Sequence, residues 1–193
     1  MAHSTNNLIM LGFSGKLGNQ LVLRSMNGQT ILSNIPYRKN KKPVGKQIET
    51  CNRFRRASYW AKSVLSDPEM LAAYREKAGK GLTAYNVAIS DYLNPPVVSE
   101  INLSNYNGHA GDKILVTAKD DFRVRNVNVT IAGPGGKELE HGACKPGESG
   151  IYWHYTATTD TGNPEGLTVS AIARDYPGNT ANLSTVIKAV NSG

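Results

Sequence analysis

The chain has 193 residues, with 22 Lys and Arg against 15 Asp and Glu, a formal net charge of +7, 39% apolar residues, 19 glycines and 9 prolines. That length accommodates one domain or two, and no window approaches about 18 uninterrupted apolar residues, which excludes a membrane-spanning helix. The two cysteines, Cys51 and Cys144, have no metal-ligand spacing and read as free thiols; the short run Leu8 to Leu11 has no basic segment before it, so no secretory leader is expected.

Taken in order, Leu21-Val22-Leu23 and Thr30-Ile31-Leu32 flank Asn27-Gly28, a pair that tolerates the positive φ of a tight turn. The spacing predicts a β-hairpin. The preceding Gly12, Gly15 and Gly18 lack the GK[ST] ending of a phosphate loop and read as a turn. From Ser33 to Gly45 the chain is too basic and proline-bounded to fold alone and is expected to be an exposed arm.

A helix is expected from Gln47. At about 100° per residue it gathers Cys51, Phe54, Ala57, Ala61, Val64 and Leu65 into one buried arc. Arg53, Arg55, Arg56 and Lys62 then fall on the opposite face with Tyr59 and Trp60, a mixture of cations and rings suited to phosphate or an acidic protein surface. With the arm residues Arg38, Lys39, Lys41, Lys42 and Lys46, these form the candidate contact site for a partner or polyanion. The stretch from Tyr37 to Leu65 holds nine of the 22 basic residues and one acid, Glu49.

Asp67 is placed to cap a second helix that opens on Pro68 and runs to about Lys77. Thr83 caps a third, with Tyr85, Ala88, Ile89 and Tyr92 on one face, which Asn94-Pro95-Pro96 ends. Beyond Pro96 the apolar period becomes two. VVSEINLS, DKILVTAKD, VRNVNVTIAG, GIYWHYTATT, LTVSAIARD and TANLSTVIKAV predict six or seven antiparallel strands with Trp153 in their core.

The fold class expected is therefore an α+β N-terminal unit, a β-hairpin plus three short helices, followed by an all-β sandwich, with domains at 1–94 and 95–193. Charge follows the same division: Met1 to Leu93 holds 14 basic and 5 acidic residues, the remainder 8 and 10.

DKILVTAKDDFRVRNVNVTIAG and LTVSAIARDYPGNTANLSTVIKAV, with their A-x-D-x-x-G-N corner, resemble bacterial immunoglobulin-like modules over residues 97 to 190. The resemblance implies fold rather than activity, since such modules serve as spacers, adhesins and decorations on phage and surface assemblies. Asp120, Asp121 and Asp175 could gather at one end to hold calcium. The N-terminal part resembles a Bacteroidota family of no established activity through Gly12, Ser14, Gly15, Lys16, Gly18, Ser33, Pro36, Gln47, Arg53 and Phe54; it departs at Leu32, where that family tends to carry arginine. A bacterial or phage origin is implied.

His3, His109, His141 and His154 are scattered, and none has an acid or nucleophile at a spacing that periodicity brings to its side. No enzyme, cofactor or small-molecule substrate is expected. The expectation is a structural or assembly protein, cytoplasmic or part of a phage-like particle, which forms a homo-oligomer or joins a larger protein assembly through its basic half. Nucleic-acid binding by the same cations is the alternative, and an adhesin is a third, weakened by the missing leader.

Overall fold

The computed structural model describes residues 2–4, 13–26, 28–35 and 44–188, with the backbone alone described for 2–4. The chain forms two compact units, Met1–Glu49 and Thr50–Gly193. The division falls well before the Asn94-Pro95-Pro96 join expected from composition, because the helices share side-chain contacts with the strands that follow them.

The first unit is a four-stranded antiparallel sheet: β1 (Ala2–Ser4), β2 (Gly15–Leu17), β3 (Leu21–Met26) and β4 (Gln29–Asn34), in the order β1-β4-β3-β2. The expected hairpin is its centre. The β3–β4 ladder closes with Met26 opposite Gln29, and Gly28 has φ +77°, the left-handed backbone that a two-residue hairpin loop demands. The glycine-rich segment supplies another strand, with Gly15 opposite Leu23. Burial is slight. Among the described side chains of this sheet only Thr30 is buried, while Phe13, Leu17 and Met26 are 59%, 60% and 60% exposed.

Three helices follow: α1 (Gly45–Val64), α2 (Pro68–Lys77) and α3 (Ala84–Leu93). Their starts are those that capping chemistry predicts. Asp67 accepts the Glu69 N–H at 2.9 Å with Pro68 in the first turn, and Thr83 Oγ1 accepts the Asn86 N–H at 3.3 Å. The buried face of α1 differs from expectation. Ala57 and Ala61 are fully buried, but Cys51 and Phe54 are exposed and Trp60 turns inward. Trp60 meets Tyr74 edge-on at 6.2 Å and Tyr92 at 5.9 Å. Ring pairs of this kind contribute about 0.5–1.5 kcal/mol each beyond the area they bury, so the helix rolls towards its indole and lifts Cys51 and Phe54 away.

The remaining strands are β5 (Val97–Asn105), β6 (Lys113–Lys119), β7 (Val124–Ala132), β8 (Glu138–Ala143), β9 (Lys145–Pro146), β10 (Tyr152–Thr156), β11 (Thr168–Asp175) and β12 (Thr180–Val186). They form two antiparallel sheets, β5-β6-β10-β9 and β12-β11-β7-β8, whose inward residues share one core. Ile114, Val116 and Ala118 meet Val127, Val129, Ile131, Val169, Ala171 and Ala173, all fully buried, and Trp153 is 4% exposed among them. Period-two patterning thus placed β5, β6, β7, β10, β11 and β12 correctly, while the two-residue β9 was not expected. A second cluster joins the helices to this layer through Phe122, whose ring stacks on Tyr74 at 3.8 Å.

Strand β8 was not expected, because its pattern is inverted. Leu139 faces solvent and Glu140 is buried at 6% exposure. Glu140 Oε1 accepts from the Tyr155 hydroxyl at 2.7 Å and from the Thr158 N–H and hydroxyl at 2.5 and 2.8 Å. Burial alone would raise the Glu140 carboxyl, but these donors outweigh it and hold it below its ordinary value.

Candidate functional site: a buried acidic cluster and an exposed cationic face

Helix α3 carries an apolar stripe, Ala84, Val87 and Ala88, and the next position along it is Asp91. An i, i+3, i+4 stripe directs that carboxylate into the core, and Asp91 is fully buried. It meets Asp120, just beyond the end of β6, and Asp175, the last residue of β11. One ligand-capable oxygen from each lies within 4.8 Å of the others. Asp175 is also fully buried; its Oδ1 accepts the N–H groups of Gly178 and Asn179 at 2.7 and 2.6 Å, and its Oδ2 accepts from Asn179 Nδ2 at 2.7 Å. The same amide reaches the carbonyls of Asp91 and Tyr92 at 3.4 and 3.2 Å, tying the corner of the β11–β12 hairpin to the end of α3.

Electrostatically the cluster is underfilled. Tyr74 donates to Asp91 Oδ2, but Asp91 Oδ1 and both oxygens of Asp120 are shielded from solvent and accept no hydrogen bond from the described residues outside the trio. No Lys or Arg of the described residues lies within 4 Å of the three carboxylates. Burial pushes Asp91 up to about 8, the Tyr74 hydrogen bond opposing this and a hydrogen bond shared with Asp120, together with the charges of Asp120 and Asp175, adding to it. Asp175 is raised by burial as well, in spite of its donors. Burial together with the Asp91 carboxylate drives the Tyr74 phenol far above its ordinary range.

The trio expected from sequence was Asp120, Asp121 and Asp175. Two of these meet, and Asp121 does not join them. It is exposed and accepts from Ser90 Oγ at 3.1 Å and Asn94 Nδ2 at 2.7 Å, bracing the end of α3 from outside. Asp91 takes the third place, and its position in the apolar stripe of α3 was the signal that could have identified it.

The candidate cationic site divides differently. Arg38, Lys39, Lys41 and Lys42 lie outside the described residues, and Lys46 lies in the first turn of α1. Arg53 is not on the outward face; its guanidinium donates to the Leu93 carbonyl at the end of α3, where a cation also suits the negative end of the helix. Arg55 donates to Asn52 Oδ1 at 3.3 Å. Arg55, Tyr59 and Lys62 share the face opposite Ala57 and Ala61, with Tyr59 66% exposed, and Arg56 lies at its margin. None of Arg53, Arg55, Arg56 or Lys62 has a carboxylate of the described residues within 4 Å. Trp60 leaves the face for the core, as described above.

Of the described histidines, His109 lies 3.7 Å from Asp160 and His141 lies 3.7 Å from Glu138, all four side chains exposed. The acids that spacing did not bring to them are therefore present, with no nucleophile recorded in either pair. Cys51 and Cys144 are free thiols, the first exposed and the second buried, where burial pushes its thiol up to about 12. No described helix is long and apolar enough to cross a membrane.

No family model matches the chain, and no curated protein matches it. Among solved structures, the crystal structure of an engineered protein, a Northeast Structural Genomics Consortium target, is similar at 18% identity and a TM-score of 0.37. The match covers 59% of this chain and 31% of that one, so the chain spans less than a third of its length. A likeness this slight carries no argument about fold or activity.

Proposed function

We propose that this is a non-enzymatic assembly protein whose N-terminal sheet associates with a second copy of the chain, carrying a helix-braced sandwich as its second module. One observation supports this most: the described side chains of the sheet in the Met1–Glu49 unit are almost all accessible. Among its described side chains Thr30 is buried, and Phe13, Leu17 and Met26 remain about three-fifths exposed. A sheet buries a face or stays marginal. A matching face on another copy meets that need, and β1 and β2, the outermost of the described strands, offer edges for the same purpose.

The second module is read as immunoglobulin-like. Its orders β5-β6-β10-β9 and β12-β11-β7-β8 follow the A-B-E-D and G-F-C-C′ arrangement of that fold. Trp153 on β10 and the two unpaired cysteines depart from antibody-type domains, which favours the bacterial kind of module. Spacer and decoration roles in a bacterial or phage particle suit such a module.

Sedimentation velocity of a Leu17→Glu, Met26→Glu variant tests the assembly reading. Both tryptophans, Trp60 and Trp153, lie in the second unit, so their fluorescence reports its folding independently. The variant should sediment as a monomer with unchanged fluorescence; sedimentation identical to the parent's would contradict the reading.

A second reading rests on the face formed by Arg55, Tyr59 and Lys62, where an exposed ring among cations without carboxylate partners among the described residues suits single-stranded nucleic acid. Its signature is affinity that falls steeply between about 50 and 200 mM salt. An electrophoretic shift absent at low salt would remove it.

A further inference from the structure

We propose that Asp91, Asp120 and Asp175 form a calcium site that clamps helix α3 to the sandwich. Three carboxylates converge from three elements, and ligand-capable oxygens all lie within 4.8 Å of one another, no farther apart than two oxygens on opposite sides of a calcium ion at about 2.4 Å each. The second observation is the state of those oxygens. Asp91 is fully buried, and its Oδ1, like both oxygens of Asp120, is out of contact with water and has no partner among the described residues outside the trio. Buried polar atoms are satisfied as a rule, and buried charges are paired or hold metals. Here no Lys or Arg of the described residues neutralises the three carboxylates, and Asp91 and Asp120 share only a proton, which a cation would displace.

The surrounding groups leave the site for a cation rather than filling it. Tyr74 takes Asp91 Oδ2, while Asn179 and the turn amides take both oxygens of Asp175, so each of these two carboxylates is held in place while Asp91 Oδ1 and Asp120 are not engaged by donors outside the trio among the described residues. These contacts orient the ligands, as the outer shell of a metal centre does. Arg123 and Lys77 lie on the same side of the fold as Asp120 along a shared cleft, yet Arg123 pairs with Glu76 at 3.7 Å. All-oxygen ligands without Cys or His select a hard ion, and calcium tolerates the irregular geometry of ligands from a helix, a loop and a strand end better than magnesium does. Water completes its six to eight ligands.

The test uses the full chain, stripped with chelator, at pH 8 and constant ionic strength. With a dissociation constant in the range of about 10⁻⁴ to 10⁻³ M found for modest sites, about 10 mM calcium chloride should raise the melting temperature by about 3 to 10 °C. Asp120→Asn, at the half-buried member of the trio, should abolish that rise. An unchanged melting temperature in the parent, or an equal rise in the variant, would overturn the proposal. Terbium provides a readout that needs no variant: excited near 280 nm, Tyr74 should sensitise its emission and calcium should quench it by displacement. Absence of calcium-displaceable emission would overturn the proposal equally.

Discussion

The Tyr74 hydroxyl donates to Asp91 Oδ2 at 2.5 Å, and both residues are fully buried. Through this bond the core of the helices and the acidic cluster share one member, because the Tyr74 ring also stacks on Phe122. Tyr74→Phe keeps the ring and deletes the donor. The change should cost about 1 to 3 kcal/mol, the penalty for a buried acceptor left without its partner, measured by urea unfolding. A cost near zero would show that Asp91 finds its proton elsewhere.

Without divalent cations, stability should depend on pH in a direction set by Asp91. Burial raises its folded value to about 8, above the ordinary value of 3.8. Between these limits the folded state holds a proton that the unfolded state has released. Stability is therefore greatest near pH 4 and declines as pH rises to about 8, by at most about 1.4 kcal/mol per pH unit for each such proton. Urea midpoints in chelator across this range should fall, and Asp91→Asn should flatten the curve. A midpoint that climbs between pH 5 and 8 would contradict this assignment.

Glu140 should act in the opposite sense. Its donors hold it below its ordinary value in the folded state, so its contribution is present above the unfolded value and is lost as pH falls through the folded one. Glu140→Ala leaves the Thr158 N–H, the Thr158 hydroxyl and the Tyr155 hydroxyl unpaired in a cavity. A loss of about 2 to 4 kcal/mol at pH 7 is expected from chemical denaturation.

These two carboxylates show where sequence reasoning stops. Strands with alternating apolar residues, such as Val127, Val129 and Ile131, declare their buried face, and Asp67 and Thr83 declare the starts of α2 and α3 through local chemistry. Glu140 and Asp91 occupy inward positions that patterning assigns to apolar residues. What makes them tolerable is supplied from distant sequence: Tyr155 and Thr158 for the first, Tyr74, Asp120 and Asp175 for the second. Likewise the roll of α1 depends on Tyr74 and Tyr92 receiving Trp60, partners that no periodicity within α1 identifies. Charge suggested a boundary at Asn94, but Phe122 and Asn179 bind the helices to the strands through specific contacts, and net charge carries no record of those.

Gly108 should be intolerant of any side chain. Its φ is +91°, and a Cβ would meet the Gly162 carbonyl oxygen at 2.1 Å. Gly108→Ala therefore combines backbone strain with a clash against backbone and should cost about 2 kcal/mol or more. Gly133→Ala is the matched control, since its Cβ would make only ordinary contact with Leu139 at 3.5 Å. Parallel thermal melts should separate the two clearly, and equal melting temperatures would refute the close approach.

The proposed role depends above all on whether the N-terminal sheet associates with another copy. Light scattering coupled to size exclusion, on the full chain at tens of micromolar, measures this directly. The account predicts a dimer or larger species that dissociates on dilution; a single species of monomer mass across the whole concentration range would contradict it.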